Sequence, residues 1–454
     1  MRNNTNALSD NLSYVRSDWI AAGCVSLAAL IIYFVTLAPT VTLEQSGAFV
    51  VAGQYLGIGR VPGYPVWHLL AKLFISLFSF VRYRGYPNPA WATNFMSAFF
   101  GALSCGLAAL IVSRVGRMLC SRPERAKRKA AASAVAAGIL FAISHVMWSQ
   151  SVITETHTLT LFFILLFIAV SLAWMSRPAN GMAFVLAAVI GLGLAQSQII
   201  VLLLPPLLLG LLLAEPRLCR EFCVANVFLL VLPCILLLAG PSGGWFVVAL
   251  ASSGILGVAA PLRLSGSGKT ALGMLLIIGL GLTLYAYLPL ASEGKAPMQF
   301  GYARTWEGFK HVIARGQYER IQPTDVLGNP ALFLDQLMWY AGLLNKQFIF
   351  PLTLVGTLPF VCFYRFRGPW LKWLAVCLLT FFMFSVVLVI GASPGGDVQD
   401  CFIQRVKFIP SFAIWSILVG IGLLMIVDWI HRIRLKKKDK EQDPALTREQ
   451  PSRL

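Results

Sequence analysis

The chain has 454 residues, of which 57% are hydrophobic and 12% are charged, and its formal net charge is +18. Soluble domains carry about 25% charged residues, so this composition excludes an ordinary soluble protein. The basic residues stand at the ends of apolar runs rather than along one polar surface. This pattern indicates topology determinants and lipid-headgroup contacts, and it argues against nucleic acid as a partner.

Apolar runs of about 17 to 25 residues, each long enough to cross about 30 Å of hydrocarbon, recur along most of the chain. We therefore predict an all-α polytopic membrane protein with about twelve transmembrane helices and additional juxtamembrane helices at the outer face. The transmembrane domain is predicted to cover residues 19–430. The predicted spans are 19–38, 90–115, 131–147, 159–175, 181–196, 199–214, 224–239, 246–262, 271–290, 348–363, 370–390 and 409–430.

The short, densely basic loop 113–130 sets the predicted orientation, because loops rich in arginine and lysine stay in the cytoplasm. It places the N-terminal segment 1–18 and the basic tail 431–454 in the cytoplasm, and the tail composition predicts disorder. The run 66–81 is predicted to lie on the surface or to re-enter rather than to cross. The predicted outer loops are 39–89, 148–158, 291–345 and 391–408.

These outer loops contain the acids, arginines and aromatic residues that do not belong to a span. Ionisable side chains near a bilayer are costly, so their clustering predicts a shared polar site. The alternatives are capping or solvated acids, arginines that contact headgroups, and aromatic side chains that anchor at the interface. The candidate site residues are Glu44, Gln45, Arg60, Tyr64, Glu155, His157, Arg304, Trp306, Glu307, Arg315, Gln317, Tyr318 and Arg405.

Four stretches carry a resemblance: TLAPTVTLEQSGAFVVAGQYLGIGRVPGYP, WSQSVITETHTL, PMQFGYARTWEGFKHVIARGQYE and DVQDCFIQRVKFIPSFAIW. They resemble a family of multipass membrane proteins, formerly of unknown function, within the C-type glycosyltransferase superfamily. That family includes the vertebrate transmembrane O-mannosyltransferase of plexin-type receptors. The chain departs from the family pattern at Gln45, where an aspartate is expected, and at Ala48, where a glutamate is expected.

The resemblance implies an integral-membrane glycosyltransferase that moves a sugar, with mannose as the candidate, from a polyprenyl-phosphate donor. The acceptor would be a protein or a lipid or glycan on the non-cytoplasmic face. In such enzymes an acid of the first outer loop acts as general base, while basic side chains hold the phosphate. Glu44 and Glu155 are therefore the catalytic candidates, and the other candidates are assigned to substrate binding.

Other interpretations stay open because Gln45 cannot take a proton. Glu44 could serve as the base from the neighbouring position, or the chain could be a non-catalytic family member. A transporter or flippase of a lipid-linked substrate is the alternative from another class. A divalent metal remains open, although no residues show a recognisable ligand pattern. We expect a bacterial inner-membrane location with the site facing the periplasm.

Overall fold

The computed structural model describes residues 14–120, 123–231, 252–259, 266–294, 296–318 and 322–442, and most of these residues are helical. A two-stranded antiparallel hairpin, β1 (Arg82–Tyr83) and β2 (Tyr86–Pro87), is the strand structure in this part of the chain. The helices of the first half are α1 (Arg16–Val35), α2 (Ser46–Tyr55), α3 (Pro65–Leu77), α4 (Pro89–Leu119), α5 (Pro123–Ala142), α6 (His145–Ser151), α7 (His157–Ser176), α8 (Asn180–Gln196), α9 (Leu204–Ala214) and α10 (Pro216–Asn226).

The second half continues the helical pattern with short 3-10 and π turns between helices. Its helices are α11 (Gly268–Leu282), α12 (Tyr287–Glu293), α13 (Trp306–Ile313), α14 (Pro330–Val355), α15 (Leu358–Val361), α16 (Pro369–Phe382), α17 (Leu388–Ala392), α18 (Val398–Gln404) and α19 (Ile409–Gln442).

Six segments of the described chain are long and apolar enough to cross a membrane. The pair α5 and α6, bent by 68°, makes a seventh if it is counted as one span. The protein is therefore a multipass helical membrane protein, as predicted. The six segments are Arg16–Val35, Pro89–Leu119, His157–Ser176, Gly268–Glu293, Pro369–Ala392 and Val398–Arg434.

The predicted count of about twelve spans is not confirmed. The predicted spans 224–239 and 246–262 lie largely outside the described residues. The predicted spans 181–196 and 199–214 are helical but short, since α8 has 17 residues and would extend over about 26 Å. The helix α3 has 13 residues, which is too short to cross about 30 Å of hydrocarbon.

The predicted span 348–363 is not one continuous helix. The helix α14 starts at Pro330, inside the predicted outer loop 291–345, and breaks at Ile349, where φ is 57° and ψ is 152°. Pro351 follows two residues later, and proline removes a helical hydrogen bond and clashes with the preceding turn. The chain therefore changes direction here instead of crossing straight through.

Of the tail 431–454 that was predicted to be disordered, residues 431–442 are helical, and residues 443–454 lie outside the described residues. Residues 431–442 continue α19 directly from a buried apolar helix. Extending an existing helix costs no new nucleation, and lysine is a good helix former. Composition alone indicated a polar tail, but it did not show that the helix α19 extends into residues 431–442.

The core lies where α1, α4, α5, α7 and α19 pack against one another, and α8 crosses α11 beside it. The chain order brings the end of α1, the starts of α4 and α7, and the start of α19 to the same end of the bundle. We call it the site end. At the opposite end, Asp428 pairs with Arg365 at 3.0 Å and with Arg432 at 2.9 Å, and Asp18 pairs with Arg117 at 2.7 Å.

Candidate functional site

The first polar loop places Glu44 and Gln45 at the site end, directly before α2. Glu44 has a left-handed backbone with φ of 68°, and its side chain is exposed. Gln45 stands at the N-cap position of α2, where its side chain caps no backbone N–H, and it is also exposed. The acid of this loop is thus the residue before the position where the resembled family has aspartate.

A histidine clamp fixes the loop that carries Arg60 and Tyr64. The Nε2 atom of His68 accepts a hydrogen bond from the Gly59 N–H at 3.3 Å. The Nδ1 atom therefore carries the proton and donates to the Tyr64 carbonyl at 3.0 Å. Burial lowers the pKa of His68 to about 4, so the ring is neutral at ordinary pH. Both ends of the loop are consequently held by one side chain of α3.

Glu155 is a buried carboxyl in the short connection between α6 and α7. The Trp67 indole N–H donates to its carbonyl at 3.2 Å, and its own N–H donates to the Ser97 hydroxyl at 3.2 Å. Burial and, to a smaller extent, the negative charge of Glu44 raise the pKa of Glu155 to about 7, while the Thr156 N–H and Arg60 oppose the rise. Glu44, Glu155 and Arg60 thus act on one another electrostatically although they come from two separate segments.

His157 accompanies Glu155 at the start of α7. Its Nε2 atom lies 3.8 Å from the Glu155 Oε2 atom, and the ring is half-buried. Arg60 and Lys407 both lie near enough to act on this ring electrostatically. The pair that the sequence placed together is therefore within reach of the cations of the site.

The RGQY turn reaches the same place from the C-terminal half. The helix α13 ends in a turn in which Arg315 adopts the left-handed conformation with φ of 58°, a position that glycine usually occupies. Tyr318 then accepts a hydrogen bond from the Arg60 Nε–H at 3.1 Å. The Arg315 guanidinium lies 5.4 Å from the centre of the Tyr318 ring. Two arginines thus share one tyrosine.

A small satellite core holds this turn against the first loop. It contains Ile58 and Val61 from the loop, Leu288 from α12, and Ala303 and Val312 from the segment around α13. The Phe300 N–H donates to the Ile58 carbonyl at 2.8 Å, which ties the two segments together by their backbones. Tertiary packing, rather than chain proximity, therefore sets the distance between Arg60 and the RGQY turn.

The segment before α19 adds two cations, one of which the sequence analysis missed. Arg405 interacts electrostatically with Glu44, and its guanidinium donates to the Phe402 carbonyl at 2.6 Å. Lys407 is half-buried and acts electrostatically on Arg60 and Arg315. Lys407 lies in the quoted stretch QRVKF, two residues after Arg405, and that position was the available signal.

Backbone strain concentrates at this site. Among the described residues, seven non-glycine residues have positive φ, and three of them are the candidates Glu44, Tyr64 and Arg315. Each costs on the order of 1–3 kcal/mol and persists where the surrounding structure fixes it. Such outliers cluster at functional sites, because the strain presents side chains that a regular helix would not present.

Several predicted site residues do not join this group. Arg304 donates to the Ser292 carbonyl at 2.7 Å, so a backbone group occupies it. Trp306 is 65% exposed and stacks on Phe309 with the ring centres 5.7 Å apart. Glu307 is exposed in the first turn of α13, where a negative charge favours the helix N-terminus. Gln317 is exposed within the RGQY turn itself.

A cavity of about 680 Å³ opens beside Glu44. One wall is the segment 41–44, and the other is the end of α6 with the residues that follow it. Gln150 lines this cavity and was not among the predicted site residues, although it belongs to the quoted WSQ stretch. The cavity gives Glu44 a space in which a reacting group could lie.

The chemistry of the site is that of a cationic pocket with two carboxyl groups. Arg60, Arg315, Arg405 and Lys407 suit an anion such as a phosphate, for which arginine provides a planar pair of donors. No group of three His, Cys, Asp or Glu side chains in the described part of the chain is arranged to hold a metal ion.

Fold and site together define the class: a multipass helical membrane protein with a cationic, carboxyl-containing site at one end of its helix bundle. Residues 45–218 match the family model described as the N-terminal domain of protein O-mannosyl-transferase TMEM260. The resemblance predicted from the sequence is confirmed by this match, which contains Gln45, Arg60, Tyr64, Glu155 and His157.

The known proteins to which the chain is similar include a mouse protein and a bacterial crystal structure. Protein O-mannosyl-transferase TMEM260 of Mus musculus is 29% identical over 175 residues, which are 38% of this chain and 22% of the mouse protein. The match therefore spans about a fifth of the length of that relative. The crystal structure of ArnT from Cupriavidus metallidurans, bound to undecaprenyl phosphate, is 15% identical with a TM-score of 0.48, and the alignment covers 90% of this chain and 60% of that one.

Proposed function

We propose that the protein is an integral-membrane glycosyltransferase that uses a polyprenyl-phosphate sugar. The observation that carries this proposal is the convergence of Glu44 and Glu155 with Arg60 and Arg315, from three distant segments, at one end of the bundle. A carboxylate beside several cations is the combination needed to deprotonate a hydroxyl and to hold a phosphate leaving group.

In the proposed reaction, Glu44 accepts the proton of an acceptor hydroxyl, whose oxygen attacks the anomeric carbon of the donor sugar. The bond between that carbon and the phosphate oxygen breaks, and the polyprenyl phosphate leaves with the electron pair. Arg60 and Arg315 bind the phosphate oxygens, and Lys407 adds charge beside them. Neutralising the leaving group lowers the barrier because its negative charge grows in the transition state.

Glu44 is the better candidate for the base. It is exposed at the mouth of the cavity, whereas Glu155 is buried behind it. Because burial and the charge of Glu44 raise the pKa of Glu155, Glu155 holds its proton to higher pH than an ordinary glutamate. Gln45 does not exclude catalysis, since the neighbouring acid has its own access to the cavity.

The membrane setting also supports a lipid-linked donor and a site on the non-cytoplasmic side. A phosphate on an isoprenoid tail reaches the site from the bilayer, and the paired cations at the opposite end of the bundle favour a cytoplasmic location for that end. The site would then face the non-cytoplasmic side, which is the periplasm in a bacterial inner membrane. The name of the mouse relative makes mannose the first sugar to test and a protein the first acceptor.

The test is sugar transfer by the full chain reconstituted in lipid with a synthetic polyprenyl-phosphate mannose. Glu44→Gln should lower kcat by about 10²- to 10⁴-fold, the usual contribution of a general base. Glu307→Gln is the matched control, because it removes an exposed acid outside the site and should leave the rate unchanged. Full activity in both Glu44→Gln and Glu155→Gln would refute the catalytic assignment.

A further inference from the structure

Gln150 is a buried carboxamide without a partner. The residue is fully buried, and neither its Oε1 nor its Nε2 atom has a hydrogen-bond partner among the described residues. A buried amide normally finds partners, because an unmade hydrogen bond forfeits the interaction with water that the unfolded chain had. Gln150 is among the residues that line the cavity beside Glu44, and its amide has hydrogen bonds left to make.

Gln347 shows what a buried glutamine looks like when its role is structural. Its Oε1 atom accepts from the Val146 N–H at 3.0 Å, and its Nε2 atom donates to the Leu343 carbonyl at 3.3 Å. Gln347 thus connects α14 to α6, whereas Gln150 connects nothing. The two residues provide a comparison within one chain.

The walls of the cavity restrict what could occupy it. Val41, Leu43, Val152 and Ile153 supply apolar surface, and Glu44 is the one charged residue of the described lining. The described lining contains no cation, so the cavity does not suit the donor phosphate, which the arginines attract instead. It suits an uncharged ligand with an apolar body and one polar unit able both to donate and to accept.

We propose that this cavity is the acceptor subsite, and that Gln150 binds a peptide unit of the acceptor next to the hydroxyl residue that receives the sugar. This inference rests on the proposed function. A carboxamide and a peptide group pair through two hydrogen bonds, N–H to carbonyl in each direction. A sugar acceptor presents several hydroxyls, for which the cavity offers few polar groups, so a peptide fits it better.

The arrangement gives Glu44 two neighbours with different chemistry. Arg60 acts electrostatically on Glu155 and Arg405 on Glu44, while the described lining of the cavity contains Glu44 and Gln150 but no cation. Donor and acceptor would therefore approach Glu44 from separate sides, and the acceptor hydroxyl would meet the base as it meets the sugar. Gln150 is a substrate-binding residue in this scheme and takes no part in proton transfer.

The experiment measures KM with a synthetic peptide of about ten residues that contains one threonine. We expect Gln150→Leu to raise the peptide KM by at least about tenfold. The donor KM should stay unchanged, because the described lining around Gln150 contains no cation for the phosphate. An active wild type with an unchanged peptide KM in the variant overturns this inference alone. A wild type that neither transfers nor hydrolyses the donor overturns the proposed function and this inference together.

Two further variants separate binding from folding. Leu43→Trp fills the cavity from a rim position that is 88% exposed, and it should raise the peptide KM without touching the core. Gln347→Leu should lower the apparent Tm, because it leaves the Val146 N–H unpaired. Gln150→Leu should leave the apparent Tm equal or higher, and a fall as large as that of Gln347→Leu overturns the assignment. If Gln150→Leu loses transfer to methyl mannoside while its transfer to the peptide is unchanged, the assignment is also overturned. That result would indicate a sugar acceptor.

Discussion

At the scale of single residues, Glu155 is distinguished by its burial, because ionisation would place its negative charge away from water. The Trp67 indole and the Ser97 hydroxyl both donate to its backbone carbonyl, which fixes the backbone beside the buried carboxyl. A carboxyl held in such surroundings keeps its proton to higher pH than a free one. Ionised Glu155 therefore destabilises the fold, and its carboxyl can release the proton near neutral pH.

The pKa of about 7 makes a prediction about stability. The folded protein binds this proton more tightly than the unfolded chain, where the pKa is near 4.5. The contribution of protonated Glu155 to the free energy of unfolding is thus fully present below pH 4.5. It is lost as the pH rises through about 7, by about 3 kcal/mol in all. Glu155→Gln should raise the apparent Tm relative to wild type at pH 8 and change it little at pH 5. Equal shifts at both pH values would contradict this.

At the scale of elements, the loop from Gly59 to Tyr64 depends on its histidine clamp. The loop has no regular backbone hydrogen bonding of its own, so His68 supplies partners for one N–H and one carbonyl. Packing strengthens the clamp, since the His68 ring stacks on Tyr287 with the centres 5.9 Å apart. Arg60 and Tyr64 are consequently placed by a residue that need not touch the substrate.

His68→Leu should therefore weaken donor binding. It leaves the Gly59 N–H without its partner, which costs about 1–3 kcal/mol for a buried group, whereas the Tyr64 carbonyl keeps the backbone N–H of residue 68. We expect a higher KM for the polyprenyl-phosphate sugar, with the peptide KM much less affected. His68→Gln restores one of the two hydrogen bonds and should give an intermediate KM. Identical effects on the two substrates would argue for general misfolding instead.

The crossing of α8 and α11 rests on two glycines. A Cβ at Gly281 would overlap the backbone of Gly191, and a Cβ at Gly191 would lie 2.9 Å from the Cα atom of Ile278. Helices approach this closely in membranes where small residues allow the backbones to meet. Their contact positions the start of α12, which belongs to the satellite core behind Arg60.

Gly281→Val should separate these helices and lower the apparent Tm. Nothing lies within 4 Å of a Cβ built at Gly279, two residues earlier on the same helix. Gly279→Ala is therefore the control and should be neutral or slightly stabilising, because alanine favours the helix over glycine. Thermal unfolding in detergent, followed by fluorescence, distinguishes the two. Similar losses in both variants would show that the close crossing at Gly281 is not responsible.

At the scale of the whole molecule, the two ends of the bundle differ in charge organisation. At one end, basic side chains surround Asp428, with Lys129 3.7 Å and Arg432 2.9 Å from its carboxylate. At the other end, the cations surround Glu44 and Glu155. By the positive-inside rule, the orientation proposed above would place the first end in the cytoplasm.

Cysteine labelling tests this orientation. In a variant whose nine native cysteines are replaced, Gln317→Cys at the site end and Ile433→Cys on α19 provide single exposed thiols. A membrane-impermeant maleimide should label Gln317→Cys in intact cells and Ile433→Cys only after permeabilisation. Labelling of both positions from the same side would contradict the proposed topology, because the two positions lie at opposite ends of the bundle.

The sequence by itself determined that the chain is a helical membrane protein, because the length and apolarity of a span are local properties that water and lipid read directly. It also indicated Glu44, Glu155, Arg60 and Arg315 as polar residues that a membrane protein has to explain. The WSQ and RGQY stretches were specific enough to carry the family resemblance.

Only the tertiary structure decided which of these residues meet. Arg60 contacts Tyr318 across 258 positions of sequence through packing of the satellite core, whereas Arg304, close to that turn in the chain, turns to a backbone carbonyl instead. The break in α14 at Ile349 and the missing partners of Gln150 are likewise results of packing. Long-range contacts depend on how helices fit against one another, and no local pattern of residues encodes that fit.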